Sequence, residues 1–153
     1  MKRILFVCHG NICRSPMAEF MMRKMVADAG LEDEFEIASA ATSTEEIGND
    51  IYPPAKACLL RHGIPFSRHS ARQITVGDYR HFDLIYIMDR NNRRWLERMM
   101  PDPEGKVRML MSLVGDSRDV ADPWYTGDFE ATYNDIKSAL DVLIQRAQLS
   151  DAD

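Results

Sequence analysis

A short segment of this chain carries residue types that together could perform nucleophilic chemistry on a bound anion. Residues 7–16 read VCHGNICRSP, so a cysteine, Cys8, precedes an arginine, Arg14, by six positions. The apolar run at residues 2–7 favours a buried strand. Pro16 directly after a serine favours the first turn of a helix. The segment therefore predicts a nucleophile at the end of a strand and a cation at the start of a helix.

A turn of this kind could bind a tetrahedral oxyanion such as phosphate. Beyond the carboxyl end of a strand, loop amides and a helix N-terminus can face an anion together. Arg14 could hold two oxygens with its planar guanidinium. The same positive field favours the thiolate form of Cys8, which would lie beneath the central atom of the anion. We expect the remaining phosphate contacts from the loop residues His9, Gly10, Asn11, Ile12, Cys13 and Ser15.

Strand-like and helix-like segments alternate along the chain, which favours a parallel sheet covered by helices on both faces. Strands are predicted at residues 2–7, 35–40, 82–88 and 107–110. Helices are predicted from Ser15 to just before Gly30 and at residues 54–62, 91–100 and 129–148. We expect one doubly wound, flavodoxin-like α/β domain with a four-stranded parallel sheet over residues 1–149, and a frayed tail at 150–153.

Composition excludes several classes of protein. The chain has 153 residues, enough for one domain, and a net charge of -5 without a basic run, which argues against binding nucleic acid. No apolar stretch approaches the ~20 residues of a membrane span, and the first one ends at Cys8, too early for a signal peptide. Three cysteines, an odd number, favour a reducing compartment, the cytoplasm. The four histidines lack metal-ligand spacing, so we expect no metal and no cofactor.

The cysteine segment resembles the active-site loop of the low-molecular-weight protein tyrosine phosphatases, whose pattern is C-x-G-N-x-C-R-S-P. Further segments resemble blocks of this family in the family's order: Ser39-Ala40-Ala41-Thr42-Ser43, His62-Gly63-Ile64-Pro65, Ala71-Arg72-Gln73-Ile74, Phe82-Asp83, Met88-Asp89 and Asp122-Pro123. The resemblance implies hydrolysis of phosphotyrosine in proteins, and of small aryl phosphates, through a cysteinyl phosphate on Cys8.

Asp122 resembles the general acid of the family, the aspartate of a loop in which proline and an aromatic residue follow. Asp-Pro by itself is an ordinary turn signal. Beside a thiolate and a bound phosphate dianion, however, a carboxyl group tends to keep its proton, as an acid catalyst must. Trp124 and Tyr125 would then line the cleft and stack on the substrate ring.

The resemblance also implies a supporting shell and reveals one departure. Asn11 would hold a strained loop conformation with Ser39 as its hydrogen-bond partner, and His69 and Asp89 would brace the loop from behind. Glu45 stands where the family usually places a large aromatic or apolar residue. It would form a charged wall of the cleft that cannot stack on a ring, unless it points into solvent.

Four alternative functions agree less well with these residues. An arsenate reductase would need relay cysteines near residues 80–90, but the chain offers only Cys13 and Cys58 besides Cys8. Protein-arginine phosphatases of the same family carry threonine where this loop has Ile12. A phosphotyrosine-binding module without activity would lack the nucleophile or the acid. A thiol redox protein would use C-x-x-C, and this loop has C-x4-C instead.

Overall fold

The computed structural model describes residues 1–152, with side chains described through Ser150. Within this part of the chain, four parallel strands form one sheet in the order β2-β1-β3-β4. The strands are Lys2–Cys8 (β1), Phe35–Ala41 (β2), Leu84–Ile87 (β3) and Val107–Met109 (β4). The predicted four-stranded, doubly wound sheet is confirmed.

Helices connect and cover these strands. The α-helices are Arg14–Asp28 (α1), Pro53–Arg61 (α2), Val76–His81 (α3), Arg90–Met99 (α4), Pro123–Thr126 (α5) and Phe129–Ala152 (α6). Short 3-10 turns occupy Glu32–Glu34 and Leu110–Val114. No helix of the described chain is both long enough and apolar enough to span a lipid bilayer.

The alternating side chains of β1 build a core on each face of the sheet. Ile4 and Phe6 pack in the larger core, which receives the apolar sides of α1, α2 and α6. Leu5 and Val7 pack in the smaller core, against α3 and α4. The chain runs from β1 to β2 on one side of β1 and then crosses to β3 on the other side. A crevice opens at such a switch point, beyond the carboxyl end of β1, and doubly wound folds bind ligands there.

Two segments differ from the sequence prediction. Helix α3 was not predicted, although Thr75 and Asp78 cap it reciprocally and their spacing is the usual capping signal. The third strand was predicted from Phe82 but begins at Leu84, because the Phe82 amide still bonds to the carbonyl of Asp78 in α3.

The prediction of a frayed tail at residues 150–153 is tested only in part. Helix α6 continues to Ala152, past the position where the frayed tail was predicted to begin. Asp153, the last residue of that predicted tail, lies outside the described residues.

Candidate active site

The loop between β1 and α1 surrounds the sulfur of Cys8 with hydrogen-bond donors. The amides of Asn11 and Ser15 donate to Cys8 Sγ at 3.3 and 3.4 Å, and the hydroxyl oxygen of Ser15 lies 3.0 Å from it. Cys8 is 3% exposed, so these groups replace most of the water that would otherwise solvate the sulfur. The loop thus directs hydrogen-bond donors from two backbone amides at this sulfur.

Asn11 holds the loop in a strained shape. Its φ of 61° is the only positive value at a non-glycine residue within positions 1–152. Its side-chain amide donates to the hydroxyls of Ser15 at 2.8 Å and Ser39 at 2.9 Å. Its side-chain oxygen accepts from the Arg72 amide at 3.2 Å, and its carbonyl accepts from His69 Nε2 at 2.7 Å. These four bonds, to residues from three parts of the chain, stabilise the left-handed conformation.

A second layer of contacts supports this network. The hydroxyl of Ser39 donates to Glu19 Oε1 at 2.6 Å, and Glu19 pairs with Arg23 at 3.0 Å one helical turn away. On the other side, the His69 amide donates to Asp50 Oδ1 at 3.0 Å. Sequence reasoning missed Glu19 and Asp50. The i,i+4 spacing of Glu19 and Arg23 was the only local signal for either of them.

Arg14 is held by partners from distant segments. It is 2% exposed, and its Nη1 donates to Asp89 Oδ2 at 2.7 Å and to the carbonyl of Val120 at 2.8 Å. Its Nη2 lies 3.4 Å from Asp122 Oδ2. Burial by itself would lower the pKa of Arg14, but the negative charges of Cys8, Asp122 and Asp89 outweigh it and raise the pKa. Arg14 is therefore a permanent cation beneath the cleft.

Asp122 precedes the short helix α5 as its N-cap and faces the same cleft. One carboxylate oxygen accepts from the Trp124 amide at 3.0 Å, and the other lies against Arg14. The side chain is 26% exposed, so the carboxyl group is open to a molecule in the cleft. Cys8, Arg14 and Asp122 thus meet around one space, although Asp122 is far away in sequence.

The cleft has walls of different character. Its lining residues are Cys8, His9, Gly10, Ile12, Cys13, Arg14, Glu45, Glu46, Asp122, Trp124 and Tyr125. Trp124 and Tyr125 are exposed aromatic rings on one side. On the other side, His9 Nε2 lies 2.9 Å from Glu45 Oε2, so the predicted charged wall is an imidazole–carboxylate pair.

The sequence motif did not specify how deeply several of the predicted site residues are buried. Asn11 and Ser15 are fully buried behind the cleft surface, where they contact the sulfur and the loop. Cys13 is buried beside the cleft, and its burial, with a contribution from the charge of Cys8, raises the pKa of its thiol. Glu46, which sequence reasoning missed, covers Gly10 so closely that a Cβ there would lie 3.3 Å from Glu46 Cγ.

One group outside the cleft has the residue types of a metal site. Cys58, His62 and Glu130 bring potential ligand atoms within 4.8 Å of one another. Glu130 already binds the guanidinium of Arg61 at 2.8 Å and the imidazole of His62 at 2.6 Å. Its carboxylate is thus satisfied by protein groups.

A buried thiol at the end of a parallel strand, ringed by amides and an arginine and faced by an aspartate, defines a cysteine-dependent phosphatase site. Comparison with known proteins is consistent with this class. The family model described as low molecular weight phosphotyrosine protein phosphatase matches residues 3–152. The chain belongs to this family.

Individual relatives match along most of their length. The human low molecular weight phosphotyrosine protein phosphatase is 40% identical over 152 residues, which cover 95% of this chain and 96% of the human one. The crystal structure of YfkJ from Bacillus subtilis matches with a TM-score of 0.92 at 38% identity, covering 98% of this chain and 96% of YfkJ. The crystal structure of a Drosophila arginine phosphatase matches with a TM-score of 0.85 at 31% identity, covering 96% and 98%.

Proposed function

We propose that this protein hydrolyses phosphotyrosine in two steps, with Cys8 as nucleophile, Arg14 as phosphate-binding cation and Asp122 as general acid and base. The observation that carries the proposal is the convergence of these three side chains on one cleft. In the first step, Cys8 attacks phosphorus in line and the bond to the phenolic oxygen breaks. Asp122 gives its proton to that oxygen, and a cysteinyl phosphate remains.

In the second step, the carboxylate of Asp122 takes a proton from a water molecule as that water attacks phosphorus. The S–P bond breaks, inorganic phosphate leaves, and Cys8 returns to the thiolate form. The amides of Asn11 and Ser15, together with the Ser15 hydroxyl, stabilise the charge on the departing sulfur. Arg14 holds the phosphoryl oxygens throughout both steps.

The walls of the cleft favour an aryl phosphate as substrate. Trp124 and Tyr125 offer exposed rings on which a phenyl ring can stack. The physiological substrates are therefore proteins that carry phosphotyrosine, with small aryl phosphates as artificial ones. Nucleic acids and membranes are not expected as partners, given a net charge of -5 and no basic run. A cytoplasmic location is proposed because the mechanism requires Cys8 as a free thiol.

An arginine-phosphatase activity is the second candidate, because a Drosophila arginine phosphatase shares the fold. The observation against it is the apolar Ile12 on the cleft surface. A bulky aliphatic side chain there disfavours both the basic substrate and the approach of the hydrolytic water.

A substrate panel with matched variants tests these assignments. Wild-type protein should hydrolyse p-nitrophenyl phosphate and a phosphotyrosine peptide much faster than phosphoarginine, and should not reduce arsenate. Cys8→Ser should abolish turnover yet still bind phosphate, and Cys58→Ser, which removes a buried thiol outside the cleft, should remain active. Turnover by Cys8→Ser at the wild-type rate is the result that excludes Cys8 as the nucleophile.

A further inference from the structure

We infer that Tyr52, which is not among the residues that line the cleft, is a positioning residue for the general acid. Tyr52 immediately precedes α2, and it contacts both the phosphate-binding loop and the Asp122 loop. The inference rests on the proposed function, because it concerns the placement of Asp122 relative to the phosphoryl group on Cys8.

The backbone of Tyr52 is attached to the phosphate-binding loop. Its amide donates a 2.9 Å hydrogen bond to the carbonyl of Ile12. Pro53 follows at the first position of α2, and its ring restricts the backbone of Tyr52 to extended conformations. The observed φ and ψ of Tyr52, -57° and 131°, match that restriction. Tyr52 is thus held in one orientation next to the loop that carries the nucleophile.

The ring of Tyr52 is attached to the acid loop. Its centroid lies 4.7 Å from that of Trp124, at an interplanar angle of 51°. The Tyr52 ring also lies 6.2 Å from the ring of Phe129, the first residue of α6, at an interplanar angle of 30°. Tyr52 thus contacts aromatic rings of both the acid loop and the start of α6. Interactions between such ring pairs contribute beyond simple burial of apolar area.

Trp124 transmits this contact to the acid. Its amide donates to Asp122 Oδ1 at 3.0 Å, two residues back along the chain. Helix α5 has only four residues and ends at Gly127, which adopts a left-handed φ of 73°. A single helical turn provides little rigidity by itself. The contact with Tyr52 therefore contributes, together with the 3.4 Å contact of Asp122 Oδ2 with Arg14, to fixing where the carboxyl group of Asp122 lies in the cleft.

Loss of the Tyr52 ring should impair proton donation more than nucleophilic attack. A leaving phenol of high pKa needs the proton of Asp122, whereas a phenol of low pKa can depart as an anion. The measurement is the slope of log kcat/KM against the pKa of the leaving phenol, over a series of aryl phosphates. This ratio reports the first chemical step together with binding.

We expect Tyr52→Ala to steepen this slope and to lower kcat/KM for phenyl phosphate about tenfold more than for p-nitrophenyl phosphate, because small displacements of a catalytic group are costly. Tyr52→Phe keeps the ring and should retain the wild-type slope. Phe66→Ala is the matched control, because it removes another partly buried aromatic ring, one that packs on Phe20 away from the cleft. Its slope should equal that of the wild type even if its stability falls.

Asp122→Asn separates this inference from the proposed function. If Asp122→Asn steepens the slope and Tyr52→Ala does not, Tyr52 does not position the acid and the general-acid assignment stands. If Asp122→Asn leaves the slope unchanged, the general-acid assignment fails and the inference fails with it. Should Tyr52→Ala not fold, Tyr52→Leu takes its place, because leucine fills more of the volume of the tyrosine ring but has no aromatic face. The slope measured for that variant then decides whether Tyr52 positions the acid.

Discussion

The guanidinium of Arg14 donates a 2.7 Å hydrogen bond to Asp89, the N-cap residue that precedes α4 after strand β3. The second carboxylate oxygen of Asp89 accepts from the Asn92 amide at 2.8 Å and so caps that helix. One aspartate therefore compensates a buried cation and caps the N-terminus of a helix. It also links the segments that follow the adjacent strands β1 and β3 across the floor of the cleft.

Neutralising Asp89 should destabilise the protein because Arg14 would lose a close counter-charge. We expect Asp89→Asn, which can still cap α4, to lower the free energy of unfolding by about 2–4 kcal/mol. Inorganic phosphate should restore more stability to this variant than to the wild type, because it supplies the missing negative charge. Urea denaturation with and without phosphate measures both effects.

Asp119→Asn is the control for that experiment. Asp119 pairs with Arg90 at 3.5 Å on an exposed surface, so its loss should cost less than about 1 kcal/mol. Equal effects of the two substitutions would show that the pair beneath the cleft has no special importance.

Asp50 should make stability depend on pH in the acid range. Hydrogen bonds from Lys56 first, and from the amides of His69 and Ile51, lower the pKa of Asp50 to about 2. A lowered folded-state pKa contributes stability at pH values above the unfolded pKa, and that contribution is lost as pH falls from about 4 to about 2. Asp50→Asn should therefore show a flatter decline of unfolding free energy across this range.

Asp33→Asn, at an exposed position of a 3-10 turn, serves as the comparison for Asp50. Urea titrations at several pH values measure both variants. A decline as steep in Asp50→Asn as in the wild type would contradict the role of Asp50 in acid stability.

Cys13 should protect Cys8 from irreversible oxidation by forming a disulfide with it. Peroxide would convert Cys8 to a sulfenic acid, and attack by the Cys13 thiolate would then form the disulfide and release water. Because burial raises the pKa of the Cys13 thiol, the attacking thiolate should become more available, and protection should strengthen, as pH rises.

The measurement is the fraction of starting activity that a thiol reductant restores after peroxide treatment. Cys13→Ser should recover less than the wild type, and Cys58→Ser should recover equally well, because Cys58 lies outside the cleft. If Cys13→Ser recovers as fully as the wild type at every pH, Cys13 has no protective role.

Glu45 should weaken binding of aromatic rings and disfavour acidic peptides. Its side chain is 67% exposed at the mouth of the cleft, and a carboxylate cannot stack. We expect Glu45→Tyr to lower KM for aryl phosphates by about two- to tenfold and to shrink the bias against acidic flanking residues.

Comparing kcat/KM for acidic and basic phosphotyrosine peptides at low salt tests this prediction. Glu97→Gln removes one negative charge from an exposed position of α4 that does not line the cleft, and it should leave the bias unchanged. Identical behaviour of Glu45→Tyr and wild type on both peptide sets would show that Glu45 does not select substrates.

The sequence alone determined the loop that follows β1 and the type of fold. Cys8 and Arg14 belong to one continuous strand–loop–helix segment, so their relation follows from local geometry. The alternation of apolar strands and helices predicted the parallel sheet, because the spacing of apolar residues along each element indicates which of its faces is buried. The resemblance of the Asp-Pro segment to a known family drew attention to Asp122, which spacing could not place near the loop.

Tertiary structure decided which distant residues support that loop. Glu19, Asp50 and Tyr52 were missed because their roles depend on packing between α1, β2 and the segment before α2, and no spacing along the chain encodes such contacts. The pairing of His9 with Glu45 likewise arises only where two loops meet at the mouth of the cleft. The order of residues along the chain thus determined which reactive groups the loop carries. The packing of remote segments determined which residues hold those groups in position.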